Sequence, residues 1–210
     1  MPRLTLSFIS SLHERTQPLF DGSVQPEGIT LLTTRSPASE TFWRQLKYAE
    51  FAVAEMSLSS YLIARERGSD MIAIPVFPTR WFMWAELYYR IAEGARFQAA
   101  HGFIPASHTY VIRGDVYREH PWVALNLYKA FVQAKELAHG RLEASLPAAL
   151  IFGREYWAQT RRLFGDDPYP YGFRANQPML RTLLDFSHEQ GLMHEKPALA
   201  DLFAPSTLEL

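Results

Sequence analysis

Three serines stand where an apolar run meets a helical pattern, a position suited to anion binding. Ser57, Ser59 and Ser60 follow the predicted strand at residues 51–56. Hydroxyl groups at such a junction cap the free N–H groups of a helix, and those N–H groups together with the helix dipole attract negative charge. The serines therefore predict a carboxylate-binding site, with simple helix capping as the alternative role of at least one of them.

A single arginine follows the next predicted strand. Arg80 comes after the apolar stretch at residues 71–77, which Pro75 and Pro78 interrupt and end. A guanidinium at a strand end can hold a carboxylate through two parallel hydrogen bonds. The alternative is an ordinary arginine paired with an acidic side chain.

Two further side chains could transfer protons at these strand ends. Glu55 lies beside the serines and would be a general acid if burial raises its pKa, whereas the alternative is a charged partner for Arg15 or Arg80. His108 begins a later strand, and its side chain suits proton delivery to carbon unless it is a structural histidine. Histidines and carboxylates do not fall at the i, i+4 spacing of a metal site, so no metal ligands are predicted.

The N-terminal elements that must position these residues alternate between strand and helix patterns. Strands are predicted at residues 4–9, 29–34, 51–56 and 71–77, and helices at 13–19, from about 36 to 48, and at 61–67. This order is typical of a mostly parallel sheet flanked by helices, whose ligands bind at the carboxyl ends of the strands. The predicted apolar face of the second helix consists of Phe42, Trp43, Leu46 and Tyr48.

Long helical patterns follow Arg80. Residues 81–98 carry aromatic side chains on too many faces for a solvated helix. A strand is predicted at residues 108–113 and helices at 121–139, 147–164 and 176–190, with Asn176 as a cap, before a short helix from Pro197. We interpret the chain as a single α/β domain with a βαβ core at 1–80, a helix at 81–100, and a return strand with a C-terminal helical wrap at 101–210.

The composition excludes several classes of protein. The chain has 210 residues, of which 48% are hydrophobic and 20% charged, a balance that allows a sizeable core. The net charge of −1 gives no general attraction to nucleic acid or to a membrane surface. The absence of cysteine excludes disulfides and thiolate chemistry. Without a secretory signal or a run of about 18 apolar residues, a cytoplasmic location is the default expectation.

Six stretches of the sequence form a set of motifs: HERTQPLFDGSVQPEGI, ETFWRQLKYAEFAVAEMSLSSYLIARERG, AIPVFPTR, HPWVALNLYKAFVQAKELA, PYPYGFRANQPMLRTLLDFSHEQGL and LFAPSTLE. Together they resemble the 4,5-dihydroxyphthalate decarboxylase family, whose members are similar to the two-lobed type 2 periplasmic-binding-protein fold. The resemblance implies an aromatic acid carboxy-lyase of phthalate catabolism that needs no metal or organic cofactor.

The chain departs from the family pattern in its middle. The family is much longer between the IPVFP and HPWVA motifs, so most of the second lobe is missing and residues 81–98 stand in its place. Phe82, Met83 and Trp84 occupy positions where the family has an aromatic-Arg-His sequence. A naturally shortened relative and an engineered single-lobe protein both fit, and the sharp join favours the second. One lobe provides only half of a cleft.

The resemblance also implies a division of roles among the candidate residues. Decarboxylation of a dihydroxylated aromatic acid needs a poorly solvated carboxylate and a general acid that protonates the ring carbon. The catalytic set is Arg80, His108 and Glu55, and the substrate-binding set is Arg15, Thr16, Ser57, Ser59 and Ser60. In the segment that matches the family's YDRT, His13 replaces an aromatic residue and Glu14 replaces Asp.

Three functions remain open at this point. The first is decarboxylation of a dihydroxyphthalate-like diacid, which the lineage favours. The second is a binding module for small aromatic carboxylates without turnover, which the lost lobe favours. The third is self-association as a homodimer through the aromatic helix at 81–98. The first depends on Arg15, Ser59 and Arg80 reaching one common rim of the sheet.

Overall fold

The chain is described by a computed structural model over residues 3–81, 91–149 and 151–210, with one sheet in the described part. Its strands are β1 (Leu4–Ser10), β2 (Ile29–Arg35), β3 (Val53–Ser57), β4 (Ile72–Ile74) and β5 (His108–Ile112). The strand order is β2-β1-β3-β5-β4. β1 is parallel to β2 and β3, whereas β5 is antiparallel to both of its neighbours. Four strands therefore run in one direction, and the predicted mostly parallel α/β fold is confirmed.

Helices cover both faces of this sheet. They are α1 (Gln17–Phe20), α2 (Ala38–Tyr48), α3 (Leu58–Glu66), α4 (Ile91–His101), α5 (Gly114–Glu119), α6 (Trp122–Ala149), α7 (Gly153–Phe164) and α8 (Phe173–Glu189). Short 3-10 turns lie at Glu14–Thr16, Leu199–Leu202 and Pro205–Thr207. No helix within the described ranges is long and apolar enough to cross a membrane.

Two apolar layers hold the helices against the sheet. On one face, Phe8 of β1 and Tyr110 of β5 pack against Phe131 of α6, with the Tyr110 and Phe131 rings stacked at 4.3 Å between centroids. On the other face, Met56 of β3 packs in a cluster that includes Phe203 from the C-terminal segment. Residues Val53 to Met56 are all buried, because a central strand covered on both faces has no solvent side.

The second helix turns a different face inward from the one predicted. Trp43, Leu46 and Tyr48 are exposed, whereas Gln45 is buried. The Gln45 amide donates to the carbonyl of Phe51 at 3.2 Å and accepts from its N–H at 3.0 Å. This pair of hydrogen bonds stands where an apolar contact was expected, at the junction of α2 and β3. The predicted apolar face of α2 was therefore wrong for Trp43, Leu46 and Tyr48.

Several helix boundaries also differ from the predictions. The helix predicted at 147–164 begins at Gly153 as α7, because α6 occupies residues up to Ala149. α6 continues through Gly140 to Ala149 rather than ending near residue 139, because good helix formers follow the glycine. α8 begins at Phe173, so Asn176 lies in its first turn rather than at its cap. Of the helix predicted at 81–98, the part from Ile91 is helical and extends to His101. Phe82, Met83 and Trp84 lie outside the described residues, and the homodimer through that helix stays a prediction.

Candidate functional site

The ends of three neighbouring strands meet at one edge of the sheet. Ser10 ends β1 and Ser57 ends β3. His108, the first residue of β5, pairs with Ser57, because β5 runs antiparallel to β3. The carboxyl ends of the parallel strands and the start of the return strand therefore form one edge, which we call the rim. This is the edge at which the sequence predicted a ligand site.

A buried carboxylate at the rim binds two histidines through the same oxygen atom. Glu55 is fully buried, and its Oε1 lies 2.8 Å from Nε2 of His13 and 2.7 Å from Nδ1 of His108. His13 comes from the turn after β1, Glu55 from β3 and His108 from β5. We assign the ring protons to the nitrogens that face the carboxylate, so that both rings donate to it. We call these three residues the His–Glu–His cluster.

The other oxygen of Glu55 is held by the end of β1. Its Oε2 accepts hydrogen bonds from Ser10 Oγ at 2.9 Å, from the backbone N–H of Ser11 at 2.7 Å and from Ser11 Oγ at 2.7 Å. The Ser10 hydroxyl also lies 2.8 Å from the Tyr110 hydroxyl. Burial, followed by the charge of Glu55, raises the pKa of Tyr110 well above its usual value. Tyr110 is therefore a neutral phenol beside an ionised carboxylate.

The hydrogen bonds decide the ionisation state of Glu55. Burial alone would raise its pKa, but hydrogen bonds from His108, His13 and Ser11 outweigh burial and hold the pKa well below its usual value. The raised pKa on which a general-acid role for Glu55 depended is therefore absent. The predicted alternative, a pair with Arg15 or Arg80, was also wrong, because the partners are the two histidines.

Both imidazole rings of the cluster reach solvent at the rim. Their side chains are 13% exposed for His13 and 18% for His108. Thr79 Oγ1 lies 3.1 Å from Nδ1 of His108, and the Phe42 ring stands edge-on to the His108 ring with 4.9 Å between centroids. These contacts fix the His108 ring from two sides while leaving part of it accessible to a small molecule.

Arg15 lies near the rim, in the turn that follows β1. Its Nη2 donates to the carbonyl of Pro78 at 2.6 Å, and its guanidinium stacks over the Tyr169 ring at 3.8 Å from the centroid. Its Nε has no hydrogen-bond partner among the described residues. The hydroxyl of the neighbouring Thr16 is buried and donates to the carbonyl of His13 at 3.1 Å, so it fixes the turn that carries His13.

Arg80 is directed into the protein. Its Nη1 donates to the carbonyl of Ile104 at 2.7 Å, and its Nη2 donates to the carbonyl of Pro170 at 2.8 Å and to Asn176 Oδ1. Burial lowers the pKa of Arg80 to about 10, which still leaves the guanidinium charged at neutral pH. Arg80 thus joins the chain after β4 to the loop before α8, with its two terminal nitrogens occupied by protein oxygens.

The three predicted serines lie at the start of α3, where one of them caps the helix. Ser57 Oγ accepts from the N–H of Ser60 at 3.4 Å, which makes Ser57 the N-cap of α3. Its hydroxyl also lies 3.1 Å from that of Ser59. All three side chains are partly exposed at the start of α3, beside the first residue of β5. The expected capping role is therefore present together with an accessible helix N-terminus.

The sequence did not assign a role to three residues that hold the cluster together. Ser10 and Ser11 at the end of β1 bind Glu55, and His13 shares its carboxylate with His108. Their position in the sequence could have indicated this role, because they follow the first predicted strand and parallel strands present their carboxyl ends at one edge. Spacing along the chain could not show the cluster, because its members are 42 and 53 residues apart.

Comparison with solved structures defines the fold class. A ligand-binding component of an ABC-type import system from Staphylococcus aureus, with zinc bound, matches at a TM-score of 0.56 and 12% identity over 99% of this chain and 98% of that chain. The periplasmic aliphatic sulphonate binding protein of Escherichia coli matches at 0.56 and 10% identity over 100% of both chains. The class is the periplasmic-binding-protein-like α/β fold.

Two curated relatives refine this class, although no family model matches the chain. The 4,5-dihydroxyphthalate decarboxylase of Comamonas testosteroni is 22% identical over 326 aligned residues, covering 100% of this chain and 99% of the relative. That of Pseudomonas putida is 37% identical over 95 residues, covering 45% of this chain and 37% of the relative. The resemblance to the 4,5-dihydroxyphthalate decarboxylase family, predicted from the motifs, is confirmed.

Proposed function

We propose that this chain binds an aromatic carboxylic acid of the dihydroxyphthalate type at the rim and releases one carboxyl group as CO2. One observation carries the proposal: two partly exposed histidines face a single buried carboxylate at the carboxyl edge of the sheet. The names of the two curated relatives support the reaction type. The expectation of a cytoplasmic carboxy-lyase follows from the same resemblance.

The histidines supply the proton that the reaction consumes. In decarboxylation, the bond between the ring carbon and the carboxylate breaks, CO2 leaves, and the electron pair stays on the ring carbon. A proton from an imidazolium then forms the new C–H bond. Glu55 is a positioning residue in this scheme, because its negative charge stabilises the imidazolium and its Oε1 fixes both rings.

The carboxylates of the substrate would be held by groups next to the cluster. We assign this role to Arg15, whose side chain is 13% exposed and follows His13 in the turn after β1, and to Ser59 and Ser60 at the N-terminus of α3. Arg80 and Thr16 support the rim instead, because their polar groups bind protein carbonyls. The proposed roles of these two residues therefore differ from those that the resemblance implied.

A CO2-release assay with 4,5-dihydroxyphthalate tests the proposal. The expected result is turnover by the chain and at least a ~100-fold loss of kcat in the His108→Asn and His13→Asn variants, since general acid catalysis contributes about 10²–10⁴. His194→Asn is the matched control, because His194 also lies beside a glutamate, Glu66 at 3.5 Å, but on the surface. Saturable binding by calorimetry without CO2 release would contradict turnover and support the alternative, a carboxylate-binding module.

A further inference from the structure

The His–Glu–His cluster offers a second kind of chemistry, which needs no organic substrate. We propose that His13, Glu55 and His108 form a binding site for a divalent transition-metal ion such as Zn²⁺. Each residue presents one ligand atom, and the three atoms lie within 4.8 Å of one another. Two imidazole nitrogens and one carboxylate oxygen are a ligand set that zinc and other first-row divalent metals bind.

The distances in the cluster are close to those of a metal site. Bonds from Zn²⁺ to nitrogen and oxygen are about 2.0–2.2 Å, so two tetrahedral ligand atoms lie roughly 3.3 Å apart. The nitrogen–oxygen separations are 2.8 Å for His13 and 2.7 Å for His108. Each must therefore widen by roughly 0.5 Å to admit the ion. We expect the two partly exposed histidine side chains, rather than the buried Glu55, to take up this movement.

The surroundings of Glu55 prepare it to be a ligand. Its Oε2 is occupied by Ser10 and Ser11, which leaves Oε1 as the atom that faces the two histidines. Hydrogen bonds to the non-coordinating oxygen orient a ligating carboxylate, and such partners contribute strongly to metal affinity. Both histidine side chains are partly exposed, so we expect water or a small oxygen ligand to complete the coordination of the ion.

A bound metal ion and the ring protons cannot occupy the same nitrogen atoms of His13 and His108. In the metal-free cluster, N–H groups of both rings donate to Oε1, whereas a metal ion needs the lone pairs of the same two nitrogens. The inference does not rest on the proposed decarboxylation. Metal binding is measured with the ion alone, so a failure of either proposal leaves the other unaffected.

Isothermal titration of the full chain with ZnCl2, after treatment with a chelator, tests the site. The expected result is one equivalent of Zn²⁺ bound, with affinity reduced at least ~10-fold in Glu55→Gln, His13→Asn and His108→Asn, as expected for loss of a ligand or its support. The control variants are His194→Asn and His120→Asn, whose histidines lie 3.5 and 3.6 Å from surface glutamates. Both controls should bind as the unchanged chain does.

A spectroscopic readout distinguishes this site from adventitious surface binding. Co²⁺ in place of Zn²⁺ should give visible d–d absorption bands of a mixed nitrogen and oxygen site, and His108→Asn should change their position and intensity. If circular dichroism shows that Glu55→Gln does not fold, the Zn²⁺ affinities of His13→Asn and His108→Asn test the inference. Failure of the unchanged chain to bind Zn²⁺, or equal affinity in the cluster variants and the controls, would overturn the inference.

Discussion

At the scale of single residues, the site depends on one glutamate that serves two histidines. Glu55 is fully buried, and each of its oxygens has more than one hydrogen-bond partner. The residue types were visible in the sequence, but their partners were not, because burial and partners together set the pKa. A low pKa makes Glu55 a fixed negative charge. In the proposed reaction, the proton donor is therefore a histidine and not Glu55.

The ionised state of Glu55 predicts a particular loss of stability in acid. Its pKa is lowered from the ordinary value of 4.5 by folding, so its contribution to stability is complete above about pH 5 and is lost as the pH falls below 4.5. Glu55→Gln should lower the free energy of unfolding at pH 7 by about 1–3 kcal/mol. Between pH 7 and pH 3 it should lose less stability than the unchanged chain.

Urea denaturation at both pH values, with a chelator present, measures this difference. A surface carboxylate gives the control: Asp185→Asn removes an acid that pairs with Lys196 at 2.8 Å in an exposed position. That variant should keep the acid sensitivity of the unchanged chain. An equal loss of stability in Glu55→Gln and in the unchanged chain would contradict an ionised, hydrogen-bonded Glu55.

Arg80 gives a second prediction at this scale. Removal of its guanidinium leaves the partly buried carbonyl of Ile104 and the buried side-chain oxygen of Asn176 without this donor, whereas the carbonyl of Pro170 keeps a hydrogen bond from Asn176 Nδ2 at 3.0 Å. A buried polar group that loses its partner costs about 1–3 kcal/mol. Arg80→Ala should therefore lower the free energy of unfolding by at least ~2 kcal/mol. Arg118→Ala, which breaks a surface ion pair with Asp70, should cost less than about 1 kcal/mol. Similar losses in both variants, measured by denaturation, would show that Arg80 has no structural role.

At the scale of elements, the sequence predicted the strands and helices well and their details less well. All five strands lie where the sequence predicted them. The buried run of β3 was the clearest of these signals, because a central strand of a covered sheet is apolar on both faces. The face that α2 buries could not be predicted from hydrophobicity, since the amide of Gln45 binds the backbone of Phe51 there. α6 continues to Ala149, beyond the predicted end near residue 139.

Two glycines provide a matched test of packing in helices. A Cβ at Gly114, the first residue of α5, would lie 2.6 Å from the backbone oxygen of Asp70, whereas none of the described atoms outside its own helix lies within 4 Å of a Cβ at Gly140. Gly114→Ala should destabilise the chain by about 1–3 kcal/mol through overpacking. Gly140→Ala should stabilise it by about 0.4–1 kcal/mol. Thermal denaturation of the two variants measures the sign of each change in stability. Stabilisation by Gly114→Ala would contradict the close approach of Asp70.

At the scale of the whole molecule, sheet order is what assembles the site. β3 lies between β1 and β5, so Glu55 receives one histidine from each side. The alternation of strands and helices predicted a site at the carboxyl edge. Arg15, His108 and the serines lie at that edge, whereas Arg80 is directed into the protein. Strand order and the antiparallel direction of β5 could not be derived from local patterns. The pairing of His13 with Glu55 could not be derived either.

The chain leaves and re-enters this edge through a short antiparallel stem. Arg80 and Ala106 form an isolated antiparallel β-bridge. The backbone N–H of Trp81 donates to the carbonyl of Pro105, and the backbone N–H of Ser107 donates to the carbonyl of Thr79. The two ends of the segment that begins at Trp81 and returns at Pro105 therefore lie side by side. Closure of a flexible loop costs only about 0.6 kcal/mol more for each doubling of its length. A longer insertion between these two ends would therefore cost little free energy.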